Sequence, residues 1–257
     1  MKVLVGEVDF LRESTALVKI PLYKENEEKG GFRTVLLDMH VDSSALFIND
    51  TYNDPVWRQV VRDIRFRKAL NMAINRQELI ESVYYGFASL PKTVPGEYNP
   101  EEANRLLDEM GMDKRDAEGF RLGPDGKTFD FLIECGAHAP DLMPVSELLV
   151  EYFRAVGIKA ALKRIDPQLL GQRGTANELK GSTLWSVQPM WRDGTWTDYL
   201  PWTCWGPEWA KWYNTGGKEG EEPPADIKRI YEIHEGRMAA IPYSPEDIKL
   251  TEEMYSL

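Results

Sequence analysis

Thr128–Glu134 (TFDFLIE) alternates apolar and polar residues in the manner of a strand. Leu148, Leu149, Tyr152, Phe153 and Val156 then recur at helical spacing before Gly157, and Ile158–Arg164 returns to a strand pattern. A strand, a helix and a strand joined by tight connections make a β-α-β unit, whose strands are parallel and whose crossover is right-handed. The fold class expected from this unit is α/β.

Helices flank the unit on both sides. Ile64, Ala69, Leu70, Ala73 and Ile74 share one face of a helix beginning near Asp63. Asn75 and Glu78 have the spacing of a capping box, which opens a second helix running to about Tyr85 and stopped by Gly86. Asn99-Pro100-Glu101-Glu102 opens a third, with Ala103, Leu106, Leu107 and Met110 directed inward and Gly111 at its end. Between Gly111 and Lys127 the chain reads as a polar loop closing on the turn Pro124-Asp125-Gly126. A short helix is expected after Asp166-Pro167, a strand over about Thr183–Gln188, a helix through Ile227, Ile230, Tyr231 and His234, and a last helix capped at Ser244. Near the start, Thr34–Met39 reads as a short β-rich run in a stretch too poor in periodic apolar residues to build its own core.

Charge and motif content narrow the function classes. A net charge of −11, with Lys and Arg scattered, would repel a phosphate backbone, so no nucleic-acid partner is expected. No apolar run approaches the roughly 20 residues of a membrane span. Met1–Phe10 lacks the basic head and apolar middle of a signal peptide, because Glu7 and Asp9 interrupt it; the start is expected to be an internal cut or a mature form. Cys135 and Cys204 have no metal or redox spacing and are compatible with a disulfide or with two core thiols. His40, His138 and His234 are far apart and outside any metal-binding or nucleophile motif, so neither catalytic residues, nor a metal, nor a cofactor is expected.

Seven of the eight tryptophans fall between Trp185 and Trp212, interleaved with Gly194, Pro201, Gly206, Pro207, Gly216 and Gly217. Each buried indole must find a partner for its N–H, so such a density points to loops lining a cleft, where aromatic faces suit sugar rings and peptide side chains alike. Trp185, Trp191 and Trp196 are the expected ligand contacts. Trp209 and Trp212, three apart, read as the buried face of one helix. A glycan-processing enzyme with paired carboxylates beside the same tryptophans is the competing reading.

Arg65–Ile80 (RFRKALNMAINRQELI) followed by Gly86 resembles the R-x-A-L-x-x-A-I-[DN]-R-x-x-[IL] signature of the extracellular solute-binding proteins of family 5, the oligopeptide and dipeptide importer group. Tyr98–Gly111 (YNPEEANRLLDEMG) is similar to that family's second hallmark, Y-[DN]-P-x-x-A-x-x-L-L-x-x-x-G. Gly6-Glu7-Val8-Asp9 and Val156-Gly157-Ile158-Lys159 resemble two further family segments in the right order. The resemblance implies a type II periplasmic-binding lobe with a mixed sheet flanked by helices, residues 49–257 forming the ligand-binding lobe and residues 1–48 a stub of its neighbour. It also implies that the other lobe and the final return strands are missing, and that a small excursion between Gly86 and Tyr98 is deleted. The implied role is that of a monomeric, extracytoplasmic receptor, periplasmic or at the cell surface, that hands an oligopeptide or oligosaccharide to an ABC permease in the membrane. Peptide-binding members usually carry an acidic residue just after the aromatic-bearing strand. Here Gln188 takes that place and Asp193 lies five residues on, a combination suited to an uncharged, ring-bearing ligand as much as to a peptide. The expected ligand-binding set is therefore Trp185, Gln188, Trp191, Asp193 and Trp196.

Overall fold

The computed structural model describes residues 2–11, 17–36, 43–90, 97–136, 140–186, 199–202 and 204–257. Two short helices, α1 (Ile20–Glu25) and α2 (Glu27–Gly30), precede the first strand, β1 (Ser43–Ile48). Helices α3 (Pro55–Val61), α4 (Ile64–Ala73), α5 (Arg76–Tyr84) and α6 (Pro100–Glu109) follow. The chain then alternates as β2 (Asp130–Gly136), α7 (Leu142–Ala155), β3 (Lys159–Ile165), α8 (Pro167–Thr175) and β4 (Gly181–Ser186). It closes with α9 (Pro207–Asn214), α10 (Ala225–Ala239) and α11 (Pro245–Ser256). The architecture is mixed α/β, with helices on both faces of a four-stranded sheet of order β1-β4-β2-β3.

The expected β-α-β unit is β2-α7-β3, and its strands pair in parallel from Asp130↔Lys159 to Gly136↔Ile165. β4 joins β2 in parallel on the other side, and β1 pairs antiparallel with β4 from Ser43↔Ser186 to Ile48↔Gly181. β1 thus lies within the stretch assigned from sequence to the neighbouring lobe, yet it is hydrogen-bonded along its length to the sheet. Thr34, Val35 and Leu36 are not in a strand, and the rest of that expected β run lies outside the described residues.

Strand alternation sends Phe131, Ile133 and Cys135 to one face, all fully buried, against α3, α4, α6 and α7. Ring contacts set this core: Trp57 stacks on Phe129 at 5.5 Å and Phe131 on Phe153 at 6.1 Å. Trp57 can be buried because its indole N–H donates to the Asn49 carbonyl at 2.7 Å. The other face carries Ser182, Leu184 and Glu134 and packs on α8, where Leu184 meets Leu170, Leu179 and Ile165.

Local capping explains most helix starts. The side chains of Asp54, Asp63, Asn75, Asn99, Asp166 and Ser244 accept from the backbone N–H of the second or third residue of their helices. Glu78, expected to reach back to Asn75, instead accepts from the Tyr152 hydroxyl at 3.0 Å and so ties α5 to α7. α7 starts six residues earlier than the apolar periodicity from Leu148 suggests.

The stretch 111–127 is more than a polar loop. Arg121 is fully buried, pairs with Asp108 at 2.5 Å, and donates to the carbonyls of Met112 (2.6 Å) and Val156 (2.8 Å) and to the Asn104 amide oxygen (2.7 Å). Isolated antiparallel bridges, Arg115↔Arg121 and Leu122↔Thr128, lead the chain into β2. Gly157 closes this junction from the other side: its carbonyl accepts from the Arg121 N–H, and its φ of +88° and a neighbouring Arg115 guanidinium leave no room for a side chain.

Candidate functional site

In open α/β sheets, ligands bind beyond the carboxyl ends of the parallel strands. Here that edge gathers the ends of β2, β3 and β4, together with the beginning of antiparallel β1. It is also where β4 runs into the tryptophan-rich stretch.

Trp185, the penultimate residue of β4, stands opposite Ser44 of β1. It is half-buried and packs against Cys135 and Leu142. Its indole N–H lies 3.1 Å from both carboxylate oxygens of Asp141. The Tyr84 hydroxyl at the end of α5 also donates to Asp141 Oδ2, at 3.0 Å, as does the Ser44 hydroxyl at 3.2 Å, and the two hydroxyls meet at 2.7 Å. Side chains from three distant segments thereby converge on one buried carboxylate.

Asp141 stands at the N-cap position of α7 in helical backbone conformation and makes no side-chain capping bond. Its carboxylate turns sideways to collect the three donors, while the positive end of the helix favours its charge. Burial above all, with the Asp141 charge adding and the Ser44 hydrogen bond opposing, pushes the Tyr84 phenol well above its ordinary value. Tyr84 therefore stays protonated and acts as a donor to Asp141. The result is a fixed indole whose N–H is already satisfied, leaving its ring as the surface a ligand can meet.

Of the residues expected to bind ligand, Trp185 is the one placed here; Gln188, Trp191, Asp193 and Trp196 lie outside the described residues. The later tryptophans separate into other environments. Trp202 meets Phe47 edge-on at 5.7 Å on the sheet face that packs on α8. Trp205 packs edge-on against Trp209, which is buried with Leu200, Ile227 and Tyr231. Trp209 is thus core, as its helical spacing suggests. Trp212 is only half-buried, with the Lys228 ammonium 5.4 Å from its ring. Beside this cluster the Gly216–Pro224 stretch is pinned to α3 and its C-cap by Glu221, which pairs with Arg58 at 2.7 Å and Arg62 at 2.6 Å.

Ser44, Tyr84 and Asp141 were not among the residues singled out from sequence. An Asp just before the true start of α7 was the single local sign.

Little in the described residues assembles into a reaction centre. They contain no group of three or more His, Cys, Asp or Glu positioned to hold a metal. Cys135 and Cys204 are separate buried thiols. His234 accepts or donates at Nδ1 to the Tyr199 hydroxyl at 2.8 Å, and burial, with help from the Arg237 charge, lowers its pKa; His40 and His138 lie outside the described residues. The carboxyl most altered by burial, Asp50, is raised to about 7 against the pull of Arg67 and Arg62. It follows the end of β1 and so lies at the opposite end of the sheet from Trp185. Among the described residues no helix is long and apolar enough to cross a membrane.

The family model "Bacterial extracellular solute-binding proteins, family 5 Middle" matches residues 1–212. No curated protein matches the chain. Among solved structures, an oligopeptide-binding protein OppA is 27% identical with a TM-score of 0.73, over 99% of this chain and 46% of its own. The periplasmic binding protein MelB of Agrobacterium fabrum C58, in complex with stachyose, has a TM-score of 0.77 at 14% identity, over 99% of this chain and 42% of its own. An oligopeptide ABC transporter periplasmic binding protein of Thermotoga maritima, bound to mannohexaose, has a TM-score of 0.62 at 19% identity, over 99% and 48% respectively. The chain therefore spans about half the length of the solved structures it matches. The fold is that of the type II periplasmic binding proteins.

Proposed function

Because the chain belongs to the bacterial extracellular solute-binding proteins of family 5, we propose that it is the ligand-binding lobe of the substrate-binding component of an ABC importer. Its solute is an oligopeptide or an oligosaccharide, held in a cleft between two lobes and passed to the membrane permease. The protein works outside the cytoplasm, as a monomer, without catalysis. Hinge closure of the second lobe over this one completes the site.

The observation that carries this reading is the Trp185 indole fixed by Asp141 at the carboxyl edge of the sheet, where the tryptophan-rich stretch begins. A ring held in one orientation loses little entropy when a sugar face or an apolar side chain stacks on it. OppA and the stachyose and mannohexaose complexes support an oligomeric ligand of either chemistry. We assign Trp185, Gln188, Trp191, Asp193 and Trp196 to this lobe's half of the cleft. We also place the start of the lobe at β1, ahead of Asn49, since β1 is an edge strand of its sheet.

Titration of the full-length protein with mannohexaose and with a pentapeptide, followed by calorimetry, tests the assignment. At least one of the two is expected to bind, and Trp185→Ala to weaken it about tenfold, the equivalent of roughly 1.4 kcal/mol. Unchanged affinity in Trp185→Ala would remove Trp185 from the site.

A further inference from the structure

The stretch 187–198, which holds Gln188, Trp191, Asp193 and Trp196, runs between Trp185, fixed by Asp141, and Tyr199. Tyr199 and its neighbour are seated on α10: Leu200 is buried with Trp209, Ile227 and Tyr231, and the Tyr199 hydroxyl lies 2.8 Å from His234 Nδ1. The Tyr199 ring is 5.8 Å from the imidazole, centre to centre, and the Arg237 guanidinium carbon stands 5.6 Å from the Tyr199 ring centre. Arg237 is in turn clamped by Asp247 of α11 at 3.1 Å, and Asp247 also accepts from the Tyr243 N–H at 2.9 Å.

The donors along this chain of contacts run in one direction. A guanidinium can only donate, and Arg237 hydrogen-bonds the Tyr199 hydroxyl. The Tyr199 oxygen therefore accepts from Arg237 and sends its own proton to His234 Nδ1. That requires a neutral imidazole with its proton on Nε2. Burial raises the Tyr199 phenol, against the charge and hydrogen bond of Arg237, so the hydroxyl keeps the proton it donates. Burial above all, then the Arg237 charge, lowers the His234 pKa, while the Glu235 charge opposes both. Glu235 is itself held by the Tyr213 hydroxyl of α9 at 2.9 Å. Protonating His234 would replace the acceptor of Tyr199 by a second donor and set an imidazolium beside a guanidinium.

Given the assignment of 187–198 to the cleft, we propose that His234 is a positioning residue for the ligand: its neutral ring holds Tyr199, and with it the C-terminal end of the ligand-lining stretch, and its protonation releases that hold and weakens solute binding. The far end of the stretch thus has an anchor of its own, as Asp141 gives one to the beginning. Because the His234 pKa is lowered in the fold, the contribution is full above the ordinary value of 6.5 and declines as pH falls below it. Asp50, raised to about 7, titrates with the opposite effect, so a pH profile separates the two.

Calorimetric affinities for mannohexaose and a pentapeptide at about pH 7.5 and about pH 5 test the role, in the full-length protein and in His234→Asn, whose amide oxygen stands where Nδ1 stands and does not titrate. The parent is expected to lose about fivefold in affinity on acidification, the equivalent of one neutral hydrogen bond. His234→Asn should match the parent at the higher pH and stay there at the lower, whereas Tyr199→Phe should be weakened at both. A parent affinity indifferent to pH, or a loss as large in His234→Asn, would overturn the proposal. Two ligand-free measurements decide it separately. Ring nitrogen shifts should show His234 protonated at Nε2 and not at Nδ1 at the higher pH. Hydrogen exchange of the amides of 199–206 should quicken on acidification in the parent relative to His234→Asn. An Nδ1-protonated ring, or exchange identical in the two proteins, would overturn the hold on Tyr199. Binding of neither ligand at the higher pH would instead overturn the cleft assignment, with the ring and exchange results still deciding what His234 does.

Discussion

Replacing Asp141 with alanine removes one carboxylate and strands the donors of three segments at once. Ser44 and Tyr84 already touch at 2.7 Å and can satisfy each other in part, so the net loss is close to two hydrogen bonds to a charged acceptor. At about 1.5–3 kcal/mol each, reduced because water can reach the half-buried Trp185, the cost is roughly 2–4 kcal/mol. For a chain of this size that lowers the Tm by roughly 4–16 °C. Asp141→Asn keeps one acceptor oxygen and should recover about half of the loss. Thermal unfolding followed by circular dichroism reads the magnitude. Tryptophan emission reads the cause: the Asp141→Ala spectrum should shift to the red as the Trp185 indole is freed, while Trp185→Phe/Asp141→Ala should show no such shift. A Tm for Asp141→Ala within the range of an ordinary surface substitution, about 0.5 kcal/mol, would refute the anchoring role.

Arg121→Met leaves the Met112 and Val156 carbonyls and the Asn104 amide oxygen without their donor, and a denaturant melt should show a loss of about 3–5 kcal/mol. Asp50 should make stability depend on pH. Its folded pKa, about 7, is raised above the ordinary 3.8, so the fold favours the protonated form. This contribution is full below about pH 4 and declines as pH rises through 7, by up to roughly 4 kcal/mol in all. Melts of the parent between pH 4 and 8 should show the decline and melts of Asp50→Asn should not; parallel curves would contradict the assignment. Gly157→Ala combines left-handed backbone with a Cβ that would press on Arg115 and Arg121, and should cost about 1–3 kcal/mol in the same melt.

What could be read from sequence and what could not divides by range. Asn99, Asn75, Asp63 and Ser244 announce their helices because a cap acts within three residues, and the β-α-β unit announces itself because its signals are continuous. A polar loop over 111–127 gives no sign that Arg121 is fully buried, because charged side chains rarely are. Its burial depends on carbonyls offered by Met112 and Val156, which no local pattern shows. The Asp141 cluster is hidden for the same reason: Ser44, Tyr84, Asp141 and Trp185 meet through the antiparallel register of β1 on β4 and the packing of α5, both set by tertiary structure. The tryptophan density was informative about the region but not about roles. Trp209 serves the α9–α10 core and Trp202 the back of the sheet, while Trp185 faces the carboxyl edge.

The proposed role of this lobe is to bind an oligomeric solute and release it unchanged. Its most direct test is tryptophan fluorescence of the full-length protein during titration with mannohexaose and with a pentapeptide, with mass spectrometry of the ligand before and after. Saturable quenching by at least one of them, with an unaltered ligand mass, is the expected result. Cleaved or transferred product, or no saturable response to either class, would contradict it.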